Sequence, residues 1–248
     1  MNTFTEIVKL IKASKQTVIL TGAGISTESG LPDFRSDNGF WAKNKPIQFH
    51  EFVLNKEKQR LSWERNIELH SLLKEISPNI GHAFVKKIIK FQQENFLITQ
   101  NIDGLHQKSG IPKSKMIEIH GNAIEAKCLE CGEKQNILDF HAAVRMQKPL
   151  PKCLKCEGVV KVATISFGQP MNEIDMRKAS EISEECDLMI VMGSSLQVMP
   201  AGQLPSLAIE SGSKVIILNR EKTDYDLSAD IVINDELKNI CGKLIQEI

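Results

Sequence analysis

The sequence predicts an α/β fold in which one large domain is interrupted twice, the two inserts together making a smaller domain. Three observations carry this reading. Short, continuous apolar runs rich in β-branched residues recur at Thr17–Leu20, Phe96–Thr99, Met116–Ile119, Leu188–Met192, Val215–Leu218 and Ile231–Ile233, as strands buried on both faces do. Helical stretches separate them. Several runs end in Gly-rich or polar turns, at Thr21–Gly24, Gln100–Asp103, Gly193–Ser195 and Asn219–Arg220, which is the sequence form of the carboxyl ends of a parallel sheet. Together they describe a Rossmann-like doubly wound parallel sheet with its ligand chemistry at those ends.

Taken in order, the chain opens on Phe4, Ile7, Val8 and Ile11, an i, i+3, i+4, i+7 stripe that reads as an amphipathic helix, with Thr3 and Glu6 spaced as a capping box. This is not the apolar block of a signal peptide. The longest apolar run, Leu188–Met192, is far below the ~20 residues of a spanning helix, so a cytoplasmic protein without a membrane partner is expected. Residues 36–78 are polar, rich in Lys, Gln, Glu and Asn, with helical character around Lys56–Ile76, and residues 122–160 hold two cysteine pairs. The expected division is 1–35, 79–121 and 161–248 for the large domain, and 36–78 with 122–160 for the small one. A cleft is expected between the two.

Composition fits this organisation. At 248 residues, 42% hydrophobic and 25% charged, the chain buries enough apolar surface to be globular. Lys+Arg and Asp+Glu balance at 31 each, so no overall field draws it to nucleic acid, and any anionic ligand is met locally.

Cys128-x2-Cys131 and Cys153-x2-Cys156 stand 21 residues apart (132–152), against about 15 to 20 in a four-cysteine zinc knuckle, a difference a loop absorbs. Four thiolates close the coordination shell, leaving no open position, so the zinc is structural. His141 lies between the pairs but finds the shell already filled. Cys186 and Cys241, in apolar surroundings, read as inert buried thiols.

Thr21-Gly22-Ala23-Gly24-Ile25-Ser26-Thr27 follows the first strand as a dinucleotide-binding loop does, yet Thr27 occupies the third Gly of GxGxxG. The acid that a dehydrogenase places about 20 residues later to hold a ribose is missing, since that region reads Gly39-Phe40-Trp41-Ala42. Hydride transfer is therefore disfavoured. His50, His70, His82 and His106 read as structural histidines. His120 differs because it closes a strand beside Gly121 on the expected ligand edge, where an ordinary pKa of about 6.5 suits a general base.

The continuation of the Gly-rich loop, Thr27-Glu28-Ser29-Gly30-Leu31-Pro32-Asp33-Phe34-Arg35-Ser36, resembles the sirtuins, NAD-consuming protein deacylases. So do Gln100-Asn101-Ile102-Asp103-Gly104-Leu105-His106, Glu118-Ile119-His120-Gly121, the paired cysteines, Phe167-Gly168-Gln169, Gly193-Ser194-Ser195-Leu196 with Pro200-Ala201, and Asn219. The resemblance implies NAD as co-substrate, a structural zinc, and an acyl-lysine protein or peptide as partner. It implies release of nicotinamide, free lysine and O-acyl-ADP-ribose. It assigns His120 as the base, with Asn101 and Asp103 positioning the ribose hydroxyls or the nicotinamide carboxamide.

NAD would then be held by Gly22, Ala23, Gly24, Thr27, Phe34, Arg35, Gln100, Asn101, Ile102, Asp103, His120, Gly193, Ser194, Ser195 and Asn219. Phe34 and Arg35 cover the departing nicotinamide, and Phe167, Gly168 and Gln169 belong to the segment that pairs with the peptide backbone. Sirtuins often have an acid at the Gln169 position and a bulky apolar residue at Ser166; this sequence departs at both, so the resemblance does not carry peptide preference over. The Tyr and Arg, three apart, of desuccinylating members are replaced by Leu61-Ser62-Trp63-Glu64-Arg65-Asn66, and the only tyrosine is Tyr225, so strong desuccinylation is not expected. Lys45–Phe49 through Trp63-x-Arg65-Asn66 looks most like class II sirtuins. Mono-ADP-ribosyl transfer or NAD hydrolysis on the same site is the alternative.

Overall fold

A computed structural model describes residues 2–32 and 45–248. Helix α1 (Thr3–Ala13) leads into β1 (Thr17–Thr21), and then come α2 (Phe49–Leu54), α3 (Lys56–Glu75), α4 (Ile80–Phe91) and β2 (Phe96–Thr99). After α5 (Leu105–Lys108) the chain forms β3 (Met116–Glu118), β4 (Gly121–Cys128), β5 (Lys134–Gln135), α6 (Ile137–Arg145) and β6 (Val160–Thr164). It closes with α7 (Glu173–Glu185), β7 (Leu188–Met192), α8 (Leu204–Glu210), β8 (Lys214–Leu218), β9 (Ile231–Ile233) and α9 (Leu237–Leu244).

The six apolar runs form one parallel sheet in the order β3-β2-β1-β7-β8-β9. Successive residues of β1 point to opposite faces. Ile19 joins Leu97, Ile190 and Ile216 in a core covered by α1, α4 and α9. Val18 and Leu20 join Ile98, Met189, Val191 and Ile217 under α7 and α8. Both faces are thus dry, which is why the runs are apolar without alternation. The chain leaves β1 toward β2 on one side, while β7 pairs on the other, so a topological switch point lies at the carboxyl ends of β1 and β7.

Beside this sheet stands a smaller antiparallel one, β5-β4-β6. Its core holds Trp63 from α3 stacked on Phe140 from α6, ring centroids 4.5 Å apart. Strand β6 runs on to Thr164 within this small sheet, pairing Gly121 with Thr164. At the N-terminus the cap is not the expected Thr3 with Glu6: Asn2 caps α1, its side chain accepting from the Phe4 amide at 3.2 Å. Thr3 is already helical, so its hydroxyl lies one residue too late to cap.

Candidate active site

The loops after β1, β2, β3, β7 and β8 all open into one cleft of about 990 Å³. At the switch point two turns meet backbone to backbone. The Gly22 amide donates to the Met192 carbonyl at 3.0 Å, and the Gly24 amide donates to the Gly193 carbonyl at 2.8 Å. Gly193 has φ +62°, and a Cβ there would sit 2.4 Å from the Ile25 nitrogen. Two backbone turns therefore cross in contact, which only glycine permits. The Gly22 and Gly24 amides are spent on this crossing, so neither N–H is left for a ligand. Ser194 keeps a donor, because its Oγ accepts both from Gln100 Nε2 at 2.9 Å and from the Leu196 amide at 3.2 Å, leaving its own hydrogen to donate.

After Gly22 the loop forms a tight 3-10 turn, Ala23–Ser29, that ends at Gly30. It aims Ser26 at the loop after β2. Ser26 Oγ donates to Asp103 Oδ2 at 2.7 Å, Asn101 Nδ2 donates to Ser26 Oγ at 3.3 Å, and Asp103 Oδ1 accepts from the Leu105 amide at 2.8 Å. Burial pushes the Asp103 carboxyl above its ordinary range, opposed by the bonds from Ser26 and Leu105. Asn101 Oδ1 is buried and finds no hydrogen-bond partner among the described residues. A buried acceptor left in this state costs roughly 1–3 kcal/mol, and on a residue that lines the cleft it calls for a donor from a water or a ligand.

His120 follows β3, half-buried, with Nδ1 3.1 Å from the Gln100 carbonyl. A carbonyl only accepts, so Nδ1 carries the proton and, in the neutral ring, Nε2 carries the lone pair. The His120 carbonyl in turn accepts from the Ile165 amide at 2.9 Å. Gly121 has φ +69°, and a Cβ there would lie 1.9 Å from the Ala163 carbonyl oxygen. The step from His120 into β4 therefore needs glycine.

The cleft lining brings together Gly22, Ala23, Gly24, Thr27, Gln100, Asn101, Ile102, Asp103, His120, Gly193, Ser194, Ser195 and Asn219, with Phe167, Gly168 and Gln169 on the opposite wall. Phe34 and Arg35 lie outside the described residues. The segment expected to pair with a peptide leaves β6 at Thr164 and turns: the Gln169 amide donates to the Ser166 carbonyl at 2.9 Å, with Gly168 at φ +78°. The Phe49 amide holds the Phe167 carbonyl at 2.8 Å, tying α2 to this wall.

Sequence reasoning did not single out Ser26, and it named Ser62, Arg65 and Asn66 only by comparison with other sirtuins, not as part of the face of α3 that, with Leu69 and Leu72, lines the cleft. The 3, 1, 3, 3 spacing of those five residues is the signal that marks one helix face.

The four cysteines Cys128, Cys131, Cys153 and Cys156 converge away from the cleft, with all sulfurs within 4.8 Å of one another. Cys128 Sγ lies 3.5 Å from Cys156 Sγ, and Cys131 Sγ lies 3.7 Å from Cys153 Sγ. The edge of a tetrahedron of sulfurs around zinc is roughly 3.8 Å, so the donor set fits that ion. Cys186 and Cys241 are buried thiols, pushed up to about 11 and about 12 by desolvation. Burial holds His82 near 4 and His106 near 3. Among the described residues, no helix is long and apolar enough to cross a membrane.

Residues 22–200 match the model of the Sir2 family. The chain is 40% identical over 236 residues, 95% of its own length and 93% of the other's, to an NAD-dependent protein deacetylase of Rhodopseudomonas palustris. It is 34% identical over 241 residues, 97% of its length and 94% of the other's, to an NAD-dependent protein deacylase of Archaeoglobus fulgidus. Among solved structures, Sir2 with a p53 peptide and NAD+ superposes with TM-score 0.83 at 33% identity, covering 100% of this chain and 98% of that one. A Sir2 variant with deacetylated p53 peptide and 3′-O-acetyl ADP ribose gives 0.86 at 32% identity, covering 98% of each.

Proposed function

The chain belongs to the Sir2 family, and from that footing we propose that it is an NAD-dependent protein lysine deacylase, releasing nicotinamide, free lysine and O-acyl-ADP-ribose. The observation that carries the reading is the pairing, in one cleft, of His120 fixed through Nδ1 with the unsatisfied Asn101 Oδ1. The first supplies a proton acceptor. The second supplies a directed acceptor for a ligand's donor.

When bound, NAD supplies a ribose carbon that gives up nicotinamide and takes the acyl oxygen. The chain's part is orientation and proton handling. We assign His120 Nε2 the proton of a ribose hydroxyl. Asn101 and Asp103, locked to Ser26, hold the nicotinamide end. Gln100, Ser194, Ser195, Asn219 and the loop Gly22–Thr27 with Ile102 and Gly193 line the remainder of the dinucleotide path. Phe167, Gly168 and Gln169 receive the peptide. Cys128, Cys131, Cys153 and Cys156 hold a structural zinc that orders the small module and takes no part in the chemistry. We further propose that residues 1–35, 79–121 and 161–248 act as the dinucleotide-binding domain against 36–78 and 122–160, and that the protein is cytoplasmic, in keeping with its free thiols.

The test is a mass-spectrometric panel of acetyl-, succinyl-, lipoyl- and long-acyl-lysine peptides, each incubated with and without NAD. NAD-dependent free lysine together with O-acyl-ADP-ribose is expected, with succinyl-lysine a poor substrate. Nicotinamide release without any deacylated peptide would replace the reading by ADP-ribosyl transfer or NAD hydrolysis.

A further inference from the structure

Two features of the sequence lie outside the functional reading: His141, between the cysteine pairs but not needed by the metal, and Asn66, at the end of Trp63-x-Arg65-Asn66. They meet in space. His141 Nε2 on α6 stands 2.7 Å from Asn66 Oδ1 on α3, and Asn66 Nδ2 donates to the Ala123 carbonyl at 2.9 Å. The Ala123 amide donates to the Ile102 carbonyl at 2.8 Å. Since Asn66 uses its NH2 on Ala123, its oxygen is the acceptor, and the His141 proton is on Nε2. His141, Asn66 and Ala123 are only 2%, 5% and 1% exposed.

Two aromatic rings pack against the His141 ring, and one of them is itself stacked. Trp63 lies edge-on to His141 at 6.2 Å, His70 lies edge-on at 5.1 Å, and the neighbouring Phe140 is stacked on Trp63. What it holds matters because of where Ala123 sits. The pairing of β4 with β6 slips between Gly121 and Ala126, so the regular ladder does not fix this stretch, which begins one residue after His120. Ile102 lies between Asn101 and Asp103. Without a donor opposite Oδ1, the Ala123 carbonyl alone holds the Asn66 amide, and the buried oxygen is left without a partner, so the side chain loses one of its two anchors.

We infer that His141 is a positioning residue for deacylation: by fixing the amide of Asn66, it sets the backbone at Ala123 and Ile102 and so aligns His120 with Asn101 and Asp103. The inference rests on the deacylase reading of the same cleft. It also ties the active loops to the helix that lies between the two cysteine pairs.

The test compares wild type with His141→Leu, His141→Gln, Asn66→Leu and the double His141→Leu/Asn66→Leu variant, all zinc-loaded. It measures kcat and KM for acyl-peptide and NAD, zinc content, and amide hydrogen exchange over residues 120–124. His141→Leu and Asn66→Leu should each lower kcat about tenfold, short of the roughly hundredfold that a 1 Å misplacement costs. KM for NAD should stay within about twofold and zinc content should hold, while exchange at Ala123 quickens. His141→Gln, which keeps an N–H near the same place, should recover most of kcat, and the double variant should be no worse than either single one. Unchanged kcat and unchanged exchange in Asn66→Leu overturn the inference even if His141→Leu does not fold. Additive losses in the double variant overturn the shared path. If the wild type shows no NAD-dependent deacylation, the functional reading fails by itself, and exchange at Ala123 still decides whether His141 and Asn66 hold that backbone.

Discussion

Acid should weaken this fold through two histidines that never see water. His82 on α4 and His106 on α5 are 0% and 1% exposed, with ring centroids 4.9 Å apart. Desolvation holds them near 4 and near 3, the repulsion of His82 adding to the depression of His106. His106 Nε2 lies 2.9 Å from Thr21 Oγ1, which donates to Thr99 Oγ1 at 2.8 Å, so the neutral ring carries its proton on Nε2. Above an unfolded pKa of about 6.5 neither state gains a proton and these groups do not affect stability. As pH falls below 6.5 the unfolded chain takes up protons that the folded one refuses, and stability is lost until pH nears 4 and 3. At about 1.36 kcal/mol per pH unit, pH 5 costs about 2 kcal/mol per histidine, about 4 for the pair. His106→Gln keeps an N–H toward Thr21 and removes one titration. In urea unfolding followed by circular dichroism at pH 7 and pH 5, the wild type should lose about 2 kcal/mol more than this variant. With a slope of about 3 kcal/mol/M, that is about 0.7 M of extra midpoint shift. The zinc thiolates titrate in both proteins, so their effect cancels in the difference. Equal losses would mean that His106 is not desolvated in the folded state.

Three further outcomes follow from the site. His120→Ala should lower deacylation at least about a hundredfold while NAD affinity by calorimetry stays within about threefold; loss of NAD binding with an intact fold would remove the base assignment. Cys153→Ser should abolish stoichiometric zinc in a colorimetric assay and loosen the module built on β4, β5 and β6, and full zinc retention would refute the four-thiolate site. Gly193→Ala, which must hold φ +62° with its Cβ 2.4 Å from the Ile25 nitrogen, should lower stability by at least about 2 kcal/mol in thermal melts. An unchanged melting temperature would show that the crossing of the β1 and β7 loops yields without cost.

The main sheet was legible because its chemistry is one-sided: a strand covered by helices on both faces has no polar positions, so six apolar runs mark six strands, and the structure moves their ends by a residue at most. The small sheet was not legible for the opposite reason. Strand β4 carries Glu125 and Lys127, and its slip between Gly121 and Ala126 breaks the period of two. Strand β6 carries Lys161, which is 3% exposed and donates to the carbonyls of Val162 and Thr164. A lysine amid short β-branched residues reads locally as surface, and only the carbonyls that receive its ammonium make it a core residue.

The site divides along the same physical line. Polar residues at strand carboxyl ends announce themselves, because an apolar run that stops in Gln100-Asn101-Ile102-Asp103 or Gly193-Ser194-Ser195 has no local reason to do so. Bonds made across the chain leave no such mark. Ser26 and Asp103 are 77 residues apart, and Asn66 and His141 are 75 apart. Each member taken alone is an ordinary turn or helix residue. Yet each is a buried bond that costs roughly 1–3 kcal/mol if one partner is lost, and each lies against the loops that line the cleft. The cleft's walls are therefore read from sequence one element at a time, while its alignment resides in pairs that exist only once stretches distant in the chain have packed together.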